Sequence, residues 1–403
     1  VSASSRSTVD PALDVGLNLM FLGPRAGGIG RYARELPGAL LEAEPATRIT
    51  VFAGRDLPPE VRAEPWADAV RWLILPVGAT GPTAQAIQHL VLPGLARAAR
   101  LDVLHSPANI GPTIAPGVAT VVSLMDLIWL THADQWNPDP AAQRTMRRWV
   151  RHSVRHADRI FTITHAAAAE IVPGLGVPAS RIAVTPLAVR SDTVEPIPEP
   201  QLRARLDLHG ARVLLCVAQK RRYKHLEVLV RALPTLAEDV VLVCPGAPTP
   251  YEDELRALGA QLGVTHRLRL ADWVSEAELA ALYRLADALA LPSLTEGFGL
   301  PVLEAMAQRL PVACSDIPAL SEISGDAARL FDPHDQSAVD AALRDVLEDE
   351  LLRAALVQRG LTQAARYTWR GTGLATLAGY REAIAQRAGG RHRWSRHADG
   401  PLA

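Results

Sequence analysis

Thr295-Glu296-Gly297-Phe298-Gly299-Leu300-Pro301-Val302-Leu303-Glu304-Ala305-Met306-Ala307 puts two carboxylates, two glycines and a helix start into one short segment. The apolar run Ala288-Leu289-Ala290-Leu291 just before it reads as a buried strand end. Pro301 suits the first helical position, where a missing N–H is no loss. The order is therefore strand, Gly-x-Gly turn, helix. Glycines let a backbone approach a ligand closely, and the unpaired N–H groups of a helix start attract an anion. Glu304 is expected in the first helical turn and Glu296 in the loop before it, so both face one ligand at the mouth of a sheet. Carboxylates only accept hydrogen bonds, which suits a ligand rich in hydroxyls. Favourable charge at a helix N-terminus accounts for either glutamate alone, but it leaves the two glycines unexplained.

A count supplies the second signal. Of 42 Lys and Arg residues only Lys220 and Lys224 are lysines. They lie four apart in Val217-Ala218-Gln219-Lys220-Arg221-Arg222-Tyr223-Lys224-His225-Leu226, after the apolar run Val213-Leu214-Leu215-Cys216. Arginine serves elsewhere in this chain for generic positive charge. A lysine ammonium is compact and reaches a phosphate in a space too narrow for a guanidinium. Phosphate on lysines and amides, with hydroxyls on carboxylates, describes a nucleotide-sugar.

At these residues the chain resembles the retaining family-4 glycosyltransferases of the GT-B fold. Glu296 to Glu304 is similar to their Glu-x7-Glu motif. Pro311-Val312-Ala313-Cys314-Ser315-Asp316-Ile317-Pro318-Ala319-Leu320-Ser321-Glu322, Gly325-Asp326-Ala327-Ala328, the Lys224 loop and Gly27-Gly28-Ile29-Gly30-Arg31-Tyr32 continue the likeness. In many relatives an arginine stands five residues before the loop lysine. Here that place holds Gln219, which leaves either Lys220 or Arg221 as the second cation.

Composition bounds the rest. A chain of 403 residues is long for one core, so two domains are expected. Its net charge of -1 gives no sign of nucleic-acid binding. No apolar run approaches a membrane span and no signal-peptide core is read, so a cytoplasmic protein is expected. Cys216, Cys244 and Cys314 lie far apart in apolar runs, without metal-ligand spacing.

Strand and helix patterns alternate twice. The first series has strands at 15–22, 48–53, 70–77, 102–105, 120–124, 159–164 and 182–185, with helices at 30–41, 83–98, 141–157 and 166–171. The second has strands at 213–217, 240–243, 267–270, 288–291, 312–315 and 329–331, and a capping box, Ser275 with Glu278, opening a helix. The fold class is α/β, two Rossmann-like doubly wound domains facing a cleft, with ligand at the strand C-termini. Residues 1–12 are expected as a flexible arm, 13–190 as the acceptor domain, 191–211 as an extended Pro-rich linker and 212–368 as the donor domain. The resemblance implies that 369–388 is a helix crossing back to the first domain. The Gly/Arg/His-rich end, 389–403, is expected to be a flexible tail.

His105 and Asp126 each end a strand and are expected to point into the cleft. With Lys224 and Glu296 they make the expected catalytic set. Around the donor are expected Gly28, Gly30, Lys220, Lys224, Val274, Glu296, Gly297, Phe298, Gly299, Leu300 and Glu304. The resemblance implies that Glu296 holds hydroxyls of the transferred sugar and Glu304 the ribose, with retention of anomeric configuration. No Asp-x-Asp pair occurs, so no metal and no cofactor is expected. The expected donor is a nucleoside-diphosphate hexose, GDP-mannose by resemblance, and the acceptor a glycan, a lipid-linked molecule or a small molecule. Arg144, Arg148, Arg151 and Arg155 share one helical face and suit a peripheral contact with the inner face of a membrane. Two alternatives stand beside this reading. One is an NAD-dependent oxidoreductase using the Gly28-x-Gly30 loop, and the other a non-catalytic nucleotide-sugar-binding protein.

Overall fold

The computed structural model describes residues 12–23, 27–79, 81–112, 115–136, 139–190 and 194–389. The expected arm, except Ala12, and the expected tail beyond Gly389 lie outside the described residues.

Short apolar runs form two sheets. The first comprises β1 (Asp14–Asn18), β2 (Arg48–Gly54), β3 (Arg71–Leu75), β4 (Val103–Ser106), β5 (Ala119–Ser123), β6 (Arg159–Thr162) and β7 (Ile182–Val184), in the order β3-β2-β1-β4-β5-β6-β7. The second comprises β8 (Arg212–Leu215), β9 (Val240–Val243), β10 (Leu268–Arg269), β11 (Ala288–Leu291), β12 (Val312–Ser315) and β13 (Arg329–Phe331), in the order β10-β9-β8-β11-β12-β13. The strand pairs are parallel. Parallel strands need crossover connections, whose helices cover both sheet faces. All residues of β4, β5, β9, β11 and β12 are buried, which is why they read as continuous apolar runs and not as alternating ones. Each order reverses about the sheet's first strand, β1 or β8. A crevice opens there at the strand C-termini, between β1 and β4 and between β8 and β11.

Two expected elements differ. The linker is not extended throughout, because Glu199–Leu206 is a helix with Pro200 in its first turn. Proline fits there without needing an N–H partner, so the proline cluster marked a helix start. Leu202 and Leu208 are fully buried, and the Ile197 amide donates to the Ala277 carbonyl, fastening the segment to the second sheet unit. The expected helix over 83–98 is Pro82–Ala86, a π-turn Ile87–Val91 and Leu92–Ala98. Pro93 cannot donate to the carbonyl four residues back, and the wider turn absorbs that missing bond.

The last helix, Trp369–Ala388, leaves the second unit and packs on the first, against Gly27–Ala43 and strands β4 to β6. Tyr380, Leu377 and Ala383 are buried in the same core cluster as Tyr32, Leu36 and Phe161 of the first unit and Leu289 and Val302 of the second. Arg381 pairs with Glu44 at 2.7 Å and Arg387 with Asp158 at 2.8 Å. One apolar core thus runs through both units, joined by this helix.

Candidate active site

The crevice of the second unit lies between the loops leaving β8 and β11. The Leu294 amide donates to the Tyr223 carbonyl at 2.8 Å, tying the two loops together. Lys224 Nζ then donates to Glu296 Oε1 at 2.6 Å, and Ser293 Oγ donates to the same oxygen at 2.7 Å. Burial alone would lower the Lys224 pKa, but the charge of Glu296, Tyr223 and the hydrogen bond outweigh it, so the ammonium is held above its usual value. Asp126 approaches from the first unit. A Cβ placed on Gly297 would lie 2.9 Å from Asp126 Oδ2 and 3.1 Å from its Cβ. The Ile128 amide donates to Asp126 Oδ1 at 3.0 Å. Burial pushes the Asp126 carboxyl up to about 6; Glu296 adds to that rise, while the Ile128 amide and Lys224 oppose it. Asp126, Lys224 and Glu296 therefore form one charge cluster across the cleft.

The helix after this loop is Leu300–Ala307, so Pro301 is its second residue and Glu304 opens the second turn, one step further in than expected. Leucine fits the first position as well as proline does, and the backbone turns helical as soon as Gly299 has made its left-handed turn. Gly299 has φ +95°, and a Cβ there would meet Leu320 at 2.4 Å. The two glycines thus serve packing: Gly297 admits Asp126, and Gly299 makes the turn. The Phe298 ring is buried edge-on to Tyr367, centroids 5.9 Å apart, so only its backbone is available to a ligand. Glu304 is itself 8% exposed. It accepts from the Tyr283 hydroxyl at 2.6 Å and pairs with Arg31 of the first unit. Val274 is half-buried between the exposed Trp273 and the capping box of Ser275 and Glu278.

The opposite wall is the start of the helix Gly27–Ala43. Gly27 has φ +57°, and a Cβ on Gly27 or Gly28 would touch nothing within 4 Å, whereas Gly30 is buried. Further contacts close the cleft. Thr164 donates to the Gly297 carbonyl at 2.9 Å, and the Tyr223 amide donates to Gln135 Oε1 at 2.8 Å. Arg221 donates to the Gln135 carbonyl. Glu322 accepts the His165 and Ala166 amides at 2.9 and 2.8 Å, capping a first-unit helix from the second unit.

Two expected site residues are corrected. Lys220 is fully buried and turned away from the crevice. Its ammonium donates to the Gly246 and Ala271 carbonyls at 2.5 and 2.6 Å and pairs with Glu252 at 3.3 Å. It pins the loops after β9 and β10, and burial without such partners would be prohibitive. His105 is fully buried too. Its Nδ1 lies 2.7 Å from the Tyr380 hydroxyl and its Nε2 2.7 Å from Ser123 Oγ. Burial drives its pKa down to about 3, so it is a neutral core residue that joins the crossing helix to β4 and β5. Sequence reasoning gave no site role to Arg31, Tyr283, Gln135 or Glu322, although Arg31 and Glu322 stand inside the family-like stretches. Arg31 carried a signal: a cation one turn into a helix that starts Gly-Gly opposes the helix dipole and calls for a carboxylate partner. The other three pair across distances the sequence does not display.

Two facing doubly wound units with their charged groups at the strand C-termini define a nucleotide-handling enzyme of the GT-B class. The chain matches the family described as Glycosyl transferases group 1 over residues 199–363 and the Glycosyl transferase 4-like domain over residues 27–188. It is 31% identical over 416 residues to a D-inositol 3-phosphate glycosyltransferase of Kineococcus radiotolerans, covering 91% of this chain and 93% of that one. It is 30% identical over 246 residues to the O-antigen chain mannosyltransferase B of Escherichia coli, covering 59% of this chain and 64% of that one. Among solved structures, sucrose-phosphate synthase from Thermosynechococcus elongatus superposes with a TM-score of 0.70 at 19% identity, over 93% of this chain and 99% of the other. Anabaena HepE in complex with UDP and glucose also gives 0.70, at 18% identity, over 91% and 98%. The chain belongs to the group 1 glycosyltransferases, enzymes that transfer a sugar from a nucleotide sugar. The oxidoreductase alternative finds no support in these comparisons. Among the described residues no group of three His, Cys, Asp or Glu is placed to hold a metal ion, and no helix is long and apolar enough to cross a membrane.

Proposed function

We propose that the protein is a retaining hexosyltransferase that uses a nucleoside-diphosphate sugar without a metal, with GDP-mannose as donor. The observation that carries this reading is the Lys224–Glu296 pair at the switch-point crevice, with Glu304 on the helix that follows. Glu296 would hold hydroxyls of the transferred hexose and Glu304 the ribose, with the base beside Val274. The amides of Gly297, Phe298, Gly299 and Leu300 would face the sugar and diphosphate, and those of Gly28 and Gly30 would lie across the cleft. Lys224 would stabilise the charge that builds on the departing diphosphate, as an electrostatic alternative to a bridging cation. In the step proposed, the bond from the sugar C1 to the diphosphate breaks and a bond from C1 to the acceptor oxygen forms on the same face. The acceptor proton passes to the leaving phosphate oxygen. Asp126, at the acceptor side of the cluster, would orient the sugar or acceptor.

The test is turnover of a panel of UDP-, GDP- and dTDP-hexoses with and without EDTA, with the anomer of the product read by NMR. Selective turnover of GDP-mannose in EDTA with retained configuration is expected. An inverted product or a strict need for added Mg²⁺ or Mn²⁺ would overturn the mechanism. Binding without turnover of any donor would favour a nucleotide-sugar sensor.

The acceptor is proposed to be a glycan, a small molecule or a lipid-linked molecule. The last is favoured by the helix Pro140–His156, which buries Val150, Ser153 and Val154 and exposes Arg144, Arg148, Arg151 and Arg155 along its other face. Beside it, His89 stacks on Trp149 with ring centroids 4.3 Å apart, next to the exposed Leu90 and Val91 of the π-turn. A basic stripe flanked by exposed apolar side chains suits an anionic lipid surface.

A further inference from the structure

Both oxygens of Glu304 are committed to protein partners. Oε2 accepts from Tyr283 and Oε1 is occupied by Arg31. Each oxygen keeps a further lone pair, but Glu304 is nearly buried and Arg31 reaches it from across the cleft, the side from which a ribose would come. Tyr283 belongs to the same unit and is packed in its core. Arg31 comes from the other unit, its side chain is 24% exposed, and its second partner, Glu276 at 3.0 Å, is half exposed. Arg31 is therefore the partner that can leave.

We propose that Arg31 is a donor-gated positioning residue. It holds Glu304 across the cleft, yields it to the ribose, and then meets the diphosphate. This rests on the reading of Glu304 as the ribose carboxylate. The chemistry is local: a ribose hydroxyl on Glu304 brings the 5′-phosphates within the reach of a side chain that was touching that carboxylate. A diphosphate offers the guanidinium several charged oxygens in place of the one it holds on the buried Glu304, and its other partner, Glu276, is half exposed and holds it weakly. A nucleoside without phosphate must break the same pair and receives nothing back. Arg31 thus makes phosphate a condition of tight binding and links donor arrival to the arrangement of the two units.

Calorimetric titration of the full chain with uridine, guanosine, UDP and GDP tests this. Arg31→Ala should tighten nucleoside binding about fivefold or more, because the competent state of Glu304 is no longer only fractionally populated. The same variant should gain nothing for the diphosphate, or lose affinity for it. Glu276→Gln, which removes only Arg31's outer anchor, should move nucleoside affinity in the same direction and guards against misfolding of the first variant. Nucleoside binding that does not tighten in either variant overturns the gate. An equal gain for nucleoside and diphosphate overturns the transfer of Arg31 to phosphate. Glu304→Ala separates the premise from the proposal. If it leaves nucleoside binding intact, the ribose reading fails. If it abolishes binding while Arg31→Ala changes nothing, the gate alone fails.

Discussion

Lys224 is the residue on which the proposed chemistry leans hardest, because its ammonium pairs with Glu296 and is set against the charge of Asp126 in the cluster at the crevice. Lys224→Ala should lower the rate of transfer by a barrier increase on the order of 3 kcal/mol, as when a single oriented charge is removed from a departing group. Donor turnover measured beside the thermal midpoint decides it; turnover near wild type in a folded variant rejects the role. Lys224→Arg should be nearly as poor, since a planar fork replaces a point charge in a space already filled by Tyr223 and Ser293. Asp126 gives the same cluster a pH dependence. Its folded pKa is raised to about 6, above the ordinary carboxyl value, chiefly by burial. The folded state therefore prefers the protonated acid. That preference contributes fully below the unfolded pKa, near 4, and is lost as pH rises through about 6. Asp126→Asn should flatten the change of stability over this window and leave the protein relatively more stable above it. Denaturant unfolding at a series of pH values reads this out, and an unchanged slope would contradict it.

At the scale of elements, the helix Trp369–Ala388 depends on two glycines at its closest approaches. A Cβ on Gly373 would fall 2.1 Å from the Ala39 carbonyl oxygen, and one on Gly379 2.4 Å from the Phe161 ring. The obstacle at Gly373 is backbone of another helix, so it cannot rotate away. Gly373→Ala should therefore destabilise the protein by about 1–3 kcal/mol through overpacking, despite the better helix propensity of alanine. A thermal midpoint equal to or above wild type would show that the helices separate freely. The strands were legible because a parallel sheet buried on both faces leaves unbroken apolar runs, and the capping box before Glu276–Leu285 was legible because it is local. The helix Glu199–Leu206 was hidden by Pro198 and Pro200, since proline marks spacers and helix starts alike. Lys220 and Lys224 sit in one loop and look equivalent in sequence. Their fates differ because the carbonyls of Gly246 and Ala271, supplied by the loops after β9 and β10, capture only the first. His105 was misjudged for the same reason: the crossing helix brings Tyr380 onto it and seals it from the cleft.

For the whole molecule, the cleft is held shut by groups from both units, namely Arg31 with Glu304, Thr164 with Gly297, Gln135 with Tyr223 and Glu322 with the helix at His165. The same closure sets Asp126 of the first unit against Gly297, beside the Lys224–Glu296 pair. The first unit also carries the exposed arginines of Pro140–His156, on an element separate from the donor loops. If this face docks on lipid, the force is mostly electrostatic, at about 1 kcal/mol per arginine near an anionic surface, and it fades as salt shortens the screening length. Vesicles containing acidic phospholipid should therefore co-sediment the protein at low salt and release it at high salt, while vesicles of neutral lipid should not bind it. Replacing Arg148 and Arg151 with glutamate reverses two charges and should abolish co-sedimentation while leaving donor hydrolysis unchanged, because Lys224, Glu296 and Glu304 all stand in the other unit. Loss of hydrolysis in that variant would mean the helix supports the site directly. Indifference of the wild-type protein to acidic vesicles at low salt would remove the membrane from the account and leave a small molecule or glycan as acceptor.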